Sequence, residues 1–284
     1  MGFTNRRMPT GTLMRKLTIA ALCAAAMACG GDDKAADPAS RKFTYGAAGA
    51  ATFEEQAAAD LAQGSAADAQ QVQSGTSSDG SSVAGLADAM ASQAWGSATV
   101  AVAALRAAGI ERAVTTVRPA ADLTGFDDPT CVTVTTGRIS YSGCTITMGL
   151  DQLSVNGWFA RDGATLAWDV TSALHSVADG YDLDVSAHLT GNLTFGTGTI
   201  VGRVRSDNAA TIHTAQASMH VAYATIADLD LEHDGNGCVT GGTLELRRVW
   251  TDRAPGMPTT GEYADAGLLF SWQGCGVVVV SRSI

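Results

Sequence analysis

Cationic residues are scarce in this chain, with 18 Lys and Arg against 28 Asp and Glu and a formal charge of -10. A nucleic-acid binder needs a basic footprint to displace counterions from phosphates, so the balance argues against a nucleic-acid partner. Long apolar runs are also missing where a membrane span would need one. Leu17 to Ala28 is apolar for twelve residues, and as a helix it rises about 18 Å, well short of a bilayer core of about 30 Å. Proline is absent between Pro129 and Pro255, as expected where backbone donors are committed to ladders. No closely spaced Cys-x-x-Cys pair is present to suggest zinc. Nor is there a Gly-x-Ser-x-Gly, a His-Glu-x-x-His or a phosphate-binding glycine loop. No catalytic residue, metal site or cofactor is therefore assigned. What is there, 284 residues of which 46% are hydrophobic, suffices for one large or two small domains with a real core.

The first 29 residues carry an export signal. Met14-Arg15-Lys16 is a short basic stretch, Leu17 to Ala28 is the apolar segment, and small Ala28 precedes Cys29. Arg6-Arg7 is followed by Met-Pro-Thr, which does not fit a twin-arginine signal, and Met14 is the expected initiator. Ala26-Met27-Ala28-Cys29 resembles the lipobox of bacterial lipoproteins. The resemblance implies cleavage before Cys29, a thioether-linked diacylglycerol on its sulfur, acylation of the new N-terminus, and the membrane as partner through that anchor. Gly30 follows the lipid acceptor where an Asp would signal inner-membrane retention, so the outer membrane is the expected address. Removal of residues 1–28 takes away Arg6, Arg7, Arg15 and Lys16 and leaves 14 basic against 28 acidic residues, net -14. Anionic headgroups repel such a surface, which leaves attachment to the lipid.

Four cysteines remain beyond Cys23 and Cys29: Cys131, Cys144, Cys238 and Cys275. An even count in an exported chain reads as two disulfides, and register favours 131 with 144 and 238 with 275. Composition divides the chain into a signal at 1–28, a low-complexity tether at 29–81, a helix at 82–109 and a β domain at 110–284. The tether is rich in Ala, Gly, Asp, Ser and Gln, with a weakly signalled short helix from Thr52 to Gln63. The main helix places Val83, Leu86, Met90, Ala94, Ala98, Val102 and Leu105 on one face, with Ser82 to cap its start and Gly109 to end it.

The β region alternates at period two. Tyr181, Leu183, Val185, Ala187, Leu189, Leu193 and Phe195 interleave with polar partners, and Met219 to Leu231 and Leu166 to Leu174 repeat the pattern. Two-residue turns at Asp162-Gly163 and Asp179-Gly180 set a register. The first puts Phe159 opposite Leu166, Gly157 opposite Trp168 and Val155 opposite Val170. The second puts Leu174 opposite Val185, Val170 opposite Leu189 and Trp168 opposite Gly191. Continuing through Thr197-Gly198 and Ala215-Gln216 pairs Phe195 with Ile200, Leu183 with Ile212, Ile212 with Met219 and Ile200 with Leu231. On the polar face the same register sets Arg203 opposite Asp228, His188 opposite Asp207, His213 opposite Asp182 and His175 opposite Asp184, and no like charges meet. A Gly137-Arg138 hairpin brings Cys131 opposite Cys144. The expected fold is all-β with an N-terminal helix: a long-stranded antiparallel meander, a curved open sheet or a barrel, packed on that helix.

The four pairs of opposite charge read as ordinary pairing on a solvated face rather than catalytic or metal dyads. Asp230 to Asn236 partly resembles a calcium loop, but Gly241 stands where a bidentate Glu is needed, so a plain hairpin turn is expected. Trp158, beside Asn156 on the polar face, is a weak ligand candidate, as are Trp168 and Tyr223. Two functions follow: a structural or partner-binding envelope protein, or a carrier of an apolar ligand between sheet and helix. The small dry-face residues Gly157, Ser172, Gly191, Gly202, Ser206 and Asn208 bear on the second, because they leave a cavity or accommodate helix and rings. A membrane-spanning barrel also alternates, but the chain lacks aromatic girdles at its strand ends.

Overall fold

The computed structural model describes residues 37–60, 62–63, 126–178 and 181–284. The signal segment, Cys29 and the helix expected at 82–109 lie outside these residues. Ten strands follow one another as a meander: β2 (Val132–Thr135), β3 (Arg138–Met148), β4 (Asp151–Asp162), β5 (Thr165–Ala178), β6 (Tyr181–Gly196), β7 (Thr199–Thr214), β8 (Ser218–His233), β9 (Val239–Asp252), β10 (Ala266–Gly274) and β11 (Val277–Arg282). The short β1 (Gly49–Ala50) pairs with β11, so the antiparallel sheet has eleven strands in the order β1-β11-β10-β9-β8-β7-β6-β5-β4-β3-β2. It is open, with β1 and β2 at its edges. β6, β7 and β8 each run 16 residues, which uninterrupted alternation without proline permits.

From β5 to β8 the register is the one the turns dictate. Leu174 faces Val185, Trp168 faces Gly191, Phe195 faces Ile200 and Ile212 faces Met219. Between β4 and β5 the expectation is corrected by two residues: Phe159, not Gly157, faces Trp168, and Val155 faces Ser172. Asp162 pairs with Thr165, so the loop is Gly163-Ala164, with Gly163 at φ +57 in its first position. That is glycine's place in a type II′ turn, whereas a loop of Asp162-Gly163 would have been type I′. A two-residue slide leaves every side chain on its expected face.

The β2–β3 hairpin is displaced in the same way, with Val132 opposite Tyr141. Cys131 nevertheless joins Cys144, because Cys131 lies in a 3-10 turn, Pro129–Cys131, just before β2, and a bulge interrupts β3 between Tyr141 and Cys144. The bulge includes Gly143 at φ +65, whose N–H donates to Asn156 Oδ1 at 2.6 Å. It turns Tyr141 and Cys144, three residues apart, onto one face, where both are buried with Cys131 and Val155. Cys238, just before β9, joins Cys275 in the β10–β11 turn.

The segment composed like a tether contributes to this fold. A helix, α1 (residues 53–60 and 62–63), lies on the apolar face with Ala58, Ala59 and Ala62 in the main core, beside Leu229, Leu244, Phe270 and Val280. Thr52 and Glu55 form a capping box: Glu55 N donates to Thr52 Oγ1 at 3.3 Å and Thr52 N to Glu55 Oε2 at 2.7 Å. The Glu55 carboxylate, almost fully buried, is held by both Nε and Nη2 of Arg282 on β11. Alanine supplies little apolar area but brings the helix backbone close to the sheet, which a composition count of large side chains does not register.

The same segment also covers the other face. Arg247 of β9 points to the polar side and is 4% exposed, yet its Nη1 donates to the carbonyls of Ala39 and Arg41, and it pairs with Asp228. Tyr45 donates to Glu245 at 2.6 Å. A Cβ on Gly267 would meet Tyr45 Oη at 2.8 Å and the Phe43 ring at 3.0 Å, so the strap lies directly on β10. Residues 38–63 thus pass from the polar face, along the β11 edge as β1, to the apolar face as α1.

Trp168 fills the core by lying over Gly191, where an added Cβ would approach its ring within 2.5 Å and the Arg203 carbonyl within 2.6 Å. Gly191→Val is expected to lose about 3 kcal/mol of stability through overpacking against a backbone that cannot yield. Gly235→Ala, with nothing within 4 Å, is the control and should change stability by less than about 0.5 kcal/mol. Urea denaturation of both variants checks this, and a Gly191→Val as stable as the parent would contradict the packing described.

Candidate functional site

The polar face of β4 to β8 is built by register. Ser154, Ala173, Ser186, Ala209 and Ala222 face one another in sequence across the five strands. No side chain in that row is longer than serine, so it forms a floor. One wall, two residues along each strand, is Gln152, His175, Asp184, Thr211 and His220. The other is Asn156, Thr171, His188 and Asp207. Two adjoining depressions share the floor, one of about 430 Å³ along the Asn156 wall and one of about 190 Å³ along the His175 wall.

Polar contacts tie the walls together. His175 Nδ1 lies 2.8 Å from Asp184 Oδ1, and His213 Nε2 is 3.6 Å from the other oxygen of that carboxylate. His213 stands opposite Asp182 in register, as expected, but its ring turns to Asp184. His188 likewise stands opposite Asp207 yet bonds Asp169 at 2.8 Å, because both Asp207 oxygens accept from Arg205 Nε. Arg203 and Asp228 meet through two bonds, as their register requires. The imidazole–carboxylate pairs are about half exposed, where such a pair contributes less than about 1 kcal/mol.

Thr211 Oγ1 bonds His220 Nδ1 at 2.8 Å, and His220 Nε2 is 3.8 Å from Asp252. Hydroxyl, imidazole and carboxylate are thus in sequence. The last separation is too long for a hydrogen bond, and Thr211 sits within β7, laddered on both sides to β6 and β8, so its neighbours' backbone donors are already committed. The arrangement suits ligand hydrogen bonding better than nucleophilic chemistry. Among the described residues no group of three or more His, Cys, Asp or Glu is arranged to hold a metal ion.

The three aromatic candidates are not brought together. Trp158 is on the polar face, half-buried, opposite Asp169, with the Arg138 guanidinium 4.6 Å above its ring. Trp168 and Tyr223 are buried on the apolar face, Tyr223 packed on Trp250 with ring centroids 5.4 Å apart. The trough itself has no sequence motif. Each strand contributes one small residue in an otherwise ordinary polar set, and only the register aligns them.

In the β8–β9 turn the Asp234 carboxylate accepts from the N–H of Asn236 and of Cys238, both at 2.9 Å. Those backbone donors hold it below the usual carboxylate range. A carboxylate depressed in the folded state adds stability above its unfolded value near 3.8 and loses it as the pH falls through the folded value. Asp234→Ala should therefore lower the melting temperature at neutral pH, and its difference from the parent should shrink as the pH falls through the folded-state value of Asp234; melts from neutral to acid pH check it. The disulfides carry a second expectation. Replacing both Cys238 and Cys275 by serine opens a 37-residue separation and should cost about 4 kcal/mol, against about 3 kcal/mol for the 13-residue Cys131–Cys144 pair. Equal or inverted losses on denaturation would contradict the loop-entropy ordering. No protein-family model, curated protein or solved structure matches this chain.

Proposed function

We propose that this chain is a lipid-anchored lipoprotein of the bacterial cell envelope, held at the outer membrane through Cys29, that acts by contact as a structural or partner-binding protein and not by catalysis. The observation that carries this reading is the pair of disulfides, Cys131–Cys144 and Cys238–Cys275, which persist in oxidising compartments outside the cytoplasm. The Ala26-Met27-Ala28-Cys29 sequence and the net charge of the processed chain support it.

A carrier of an apolar ligand is the second reading, and one observation favours it. On the apolar face Trp168 Nε1, Thr225 Oγ1 and Trp250 Nε1 are buried with no hydrogen-bond partner among the described residues, and the polar end of a bound molecule would satisfy such groups. Native mass spectrometry before and after organic extraction separates the two readings: a removable apolar adduct of defined mass supports the carrier.

For the anchor, cells fed an alkyne-tagged palmitate should label the parent protein, and mass spectrometry should find an acylated Cys29 at the processed N-terminus. Cys29→Ala should abolish the label and leave an unprocessed precursor. An unlabelled parent, or a labelled Cys29→Ala, would sink the lipoprotein reading.

A further inference from the structure

The two depressions on the polar face join into one trough running across β4 to β8, and we propose that it binds an extended, uncharged glycan laid across the strands. Five strands spaced by about 4.8 Å give a floor about 19 Å long, so the occupant is elongated rather than compact. The methyl and hydroxymethyl groups of Ala173, Ser186 and Ala209 make the floor shallow and weakly apolar, suited to the C–H face of a sugar ring.

The walls select the rest of the chemistry. Asp184, Asp207 and Asp169 accept, while Asn156, Gln152, Thr171, Thr211 and the imidazoles both donate and accept. Hydroxyl groups do both at every position, and bonds from a hydroxyl to a carboxylate are the stronger, charge-assisted kind. A purely apolar chain would strip water from these groups and return nothing. A polyanion meets exposed carboxylates on a domain of strongly negative net charge. A peptide cannot add to the sheet here, since β5, β6 and β7 are hydrogen-bonded on both sides along the trough. Trp158, two residues from Asn156 on the same face with Arg138 stacked over it, gives the β4 end an aromatic shoulder.

The inference shares only the extracytoplasmic compartment with the proposed function, and the test keeps the two apart. The full-length lipidated protein, in a detergent without a sugar headgroup, is titrated calorimetrically with maltohexaose, cellohexaose and chitohexaose and, as the polyanion, with heparin. Acylation of Cys29 is scored by mass on the same preparation. At least one neutral hexasaccharide should bind saturably. Ser186→Trp, which fills the trough at an exposed floor position, and the milder His188→Ala should each weaken that binding by about tenfold or more, while Thr194→Ala, outside the trough on the same face, leaves it unchanged. Circular dichroism melts identify any variant that fails to fold, and His188→Ala then carries the result. Binding by none of the neutral hexasaccharides, binding of heparin alone, or affinities that ignore the trough variants would each overturn the proposal.

Discussion

A period of two residues governs this protein. Every strand from β4 to β8 presents one set of side chains to each side without a break, so the choice of which residues are dry on one strand fixes which face each residue of the next must take. The ladder carries that choice across the sheet: Phe195 commits Ile200, Ile200 commits Leu231, and the polar rows align as a consequence. The apolar core and the polar trough are thus two readings of one constraint. Neither can shift without the other, because a one-residue slip would put Asp184 and His188 into the core and Leu183 and Leu189 into water.

The same constraint explains what could be read directly from the amino-acid order. In β5 to β8 both faces and the turns agreed, and Trp168 over Gly191, Ile212 beside Met219 and Arg203 beside Asp228 followed. Where they disagreed with the structure, as at Asp162-Gly163, the error was two residues, because face chemistry forbids a slip of one but tolerates a slip of two. Turn type then decides, and whether glycine takes the first or second loop position is not visible from the dipeptide alone. The disulfide between Cys131 and Cys144 was anticipated through a register that the structure replaces; proximity survived because the bulge at Gly143 turns Cys144 onto the face of Tyr141 and the 3-10 turn before β2 brings Cys131 to it.

Helix α1 lies where the short helix from Thr52 to Gln63 was expected, but its packing into the core was not legible, for a different reason. Its buried residues are Ala58, Ala59 and Ala62, embedded in an alanine-rich stretch, and nothing in their hydrophobicity separates them from neighbours that stay wet. Its polar anchors are the Thr52 and Glu55 capping box, which is local, and the pairing of Glu55 with Arg282, 227 positions away, which no local pattern shows. The trough was illegible on similar grounds. Ser154, Ala173, Ser186, Ala209 and Ala222 are unremarked one at a time, and become a floor only after four independent registers are known.

An open sheet of this length has two liabilities, an exposed edge and a buried face with no second layer, and the N-terminal segment answers both. An unpaired strand offers its free N–H and C=O groups to any other strand. Here β1 occupies the β11 edge, and only two residues of it pair, too few to serve as a template in turn. At the opposite edge β2 is four residues long and tied back by Cys131–Cys144. The strap is secured on each face by a buried ion or ion pair: Arg247 by Asp228 and two carbonyls on the polar side, and Glu55 by Arg282 on the apolar side. Removing Arg282 would leave the Glu55 charge, and removing Asp228 the Arg247 charge, in a poorly hydrated place, which costs far more than an exposed pair contributes. Edge protection, helix docking and the β9–β10 polar face are therefore coupled through one stretch of about 26 residues, 38–63. The broad β4–β8 surface remains the part of the polar face on which no described segment of the chain is laid.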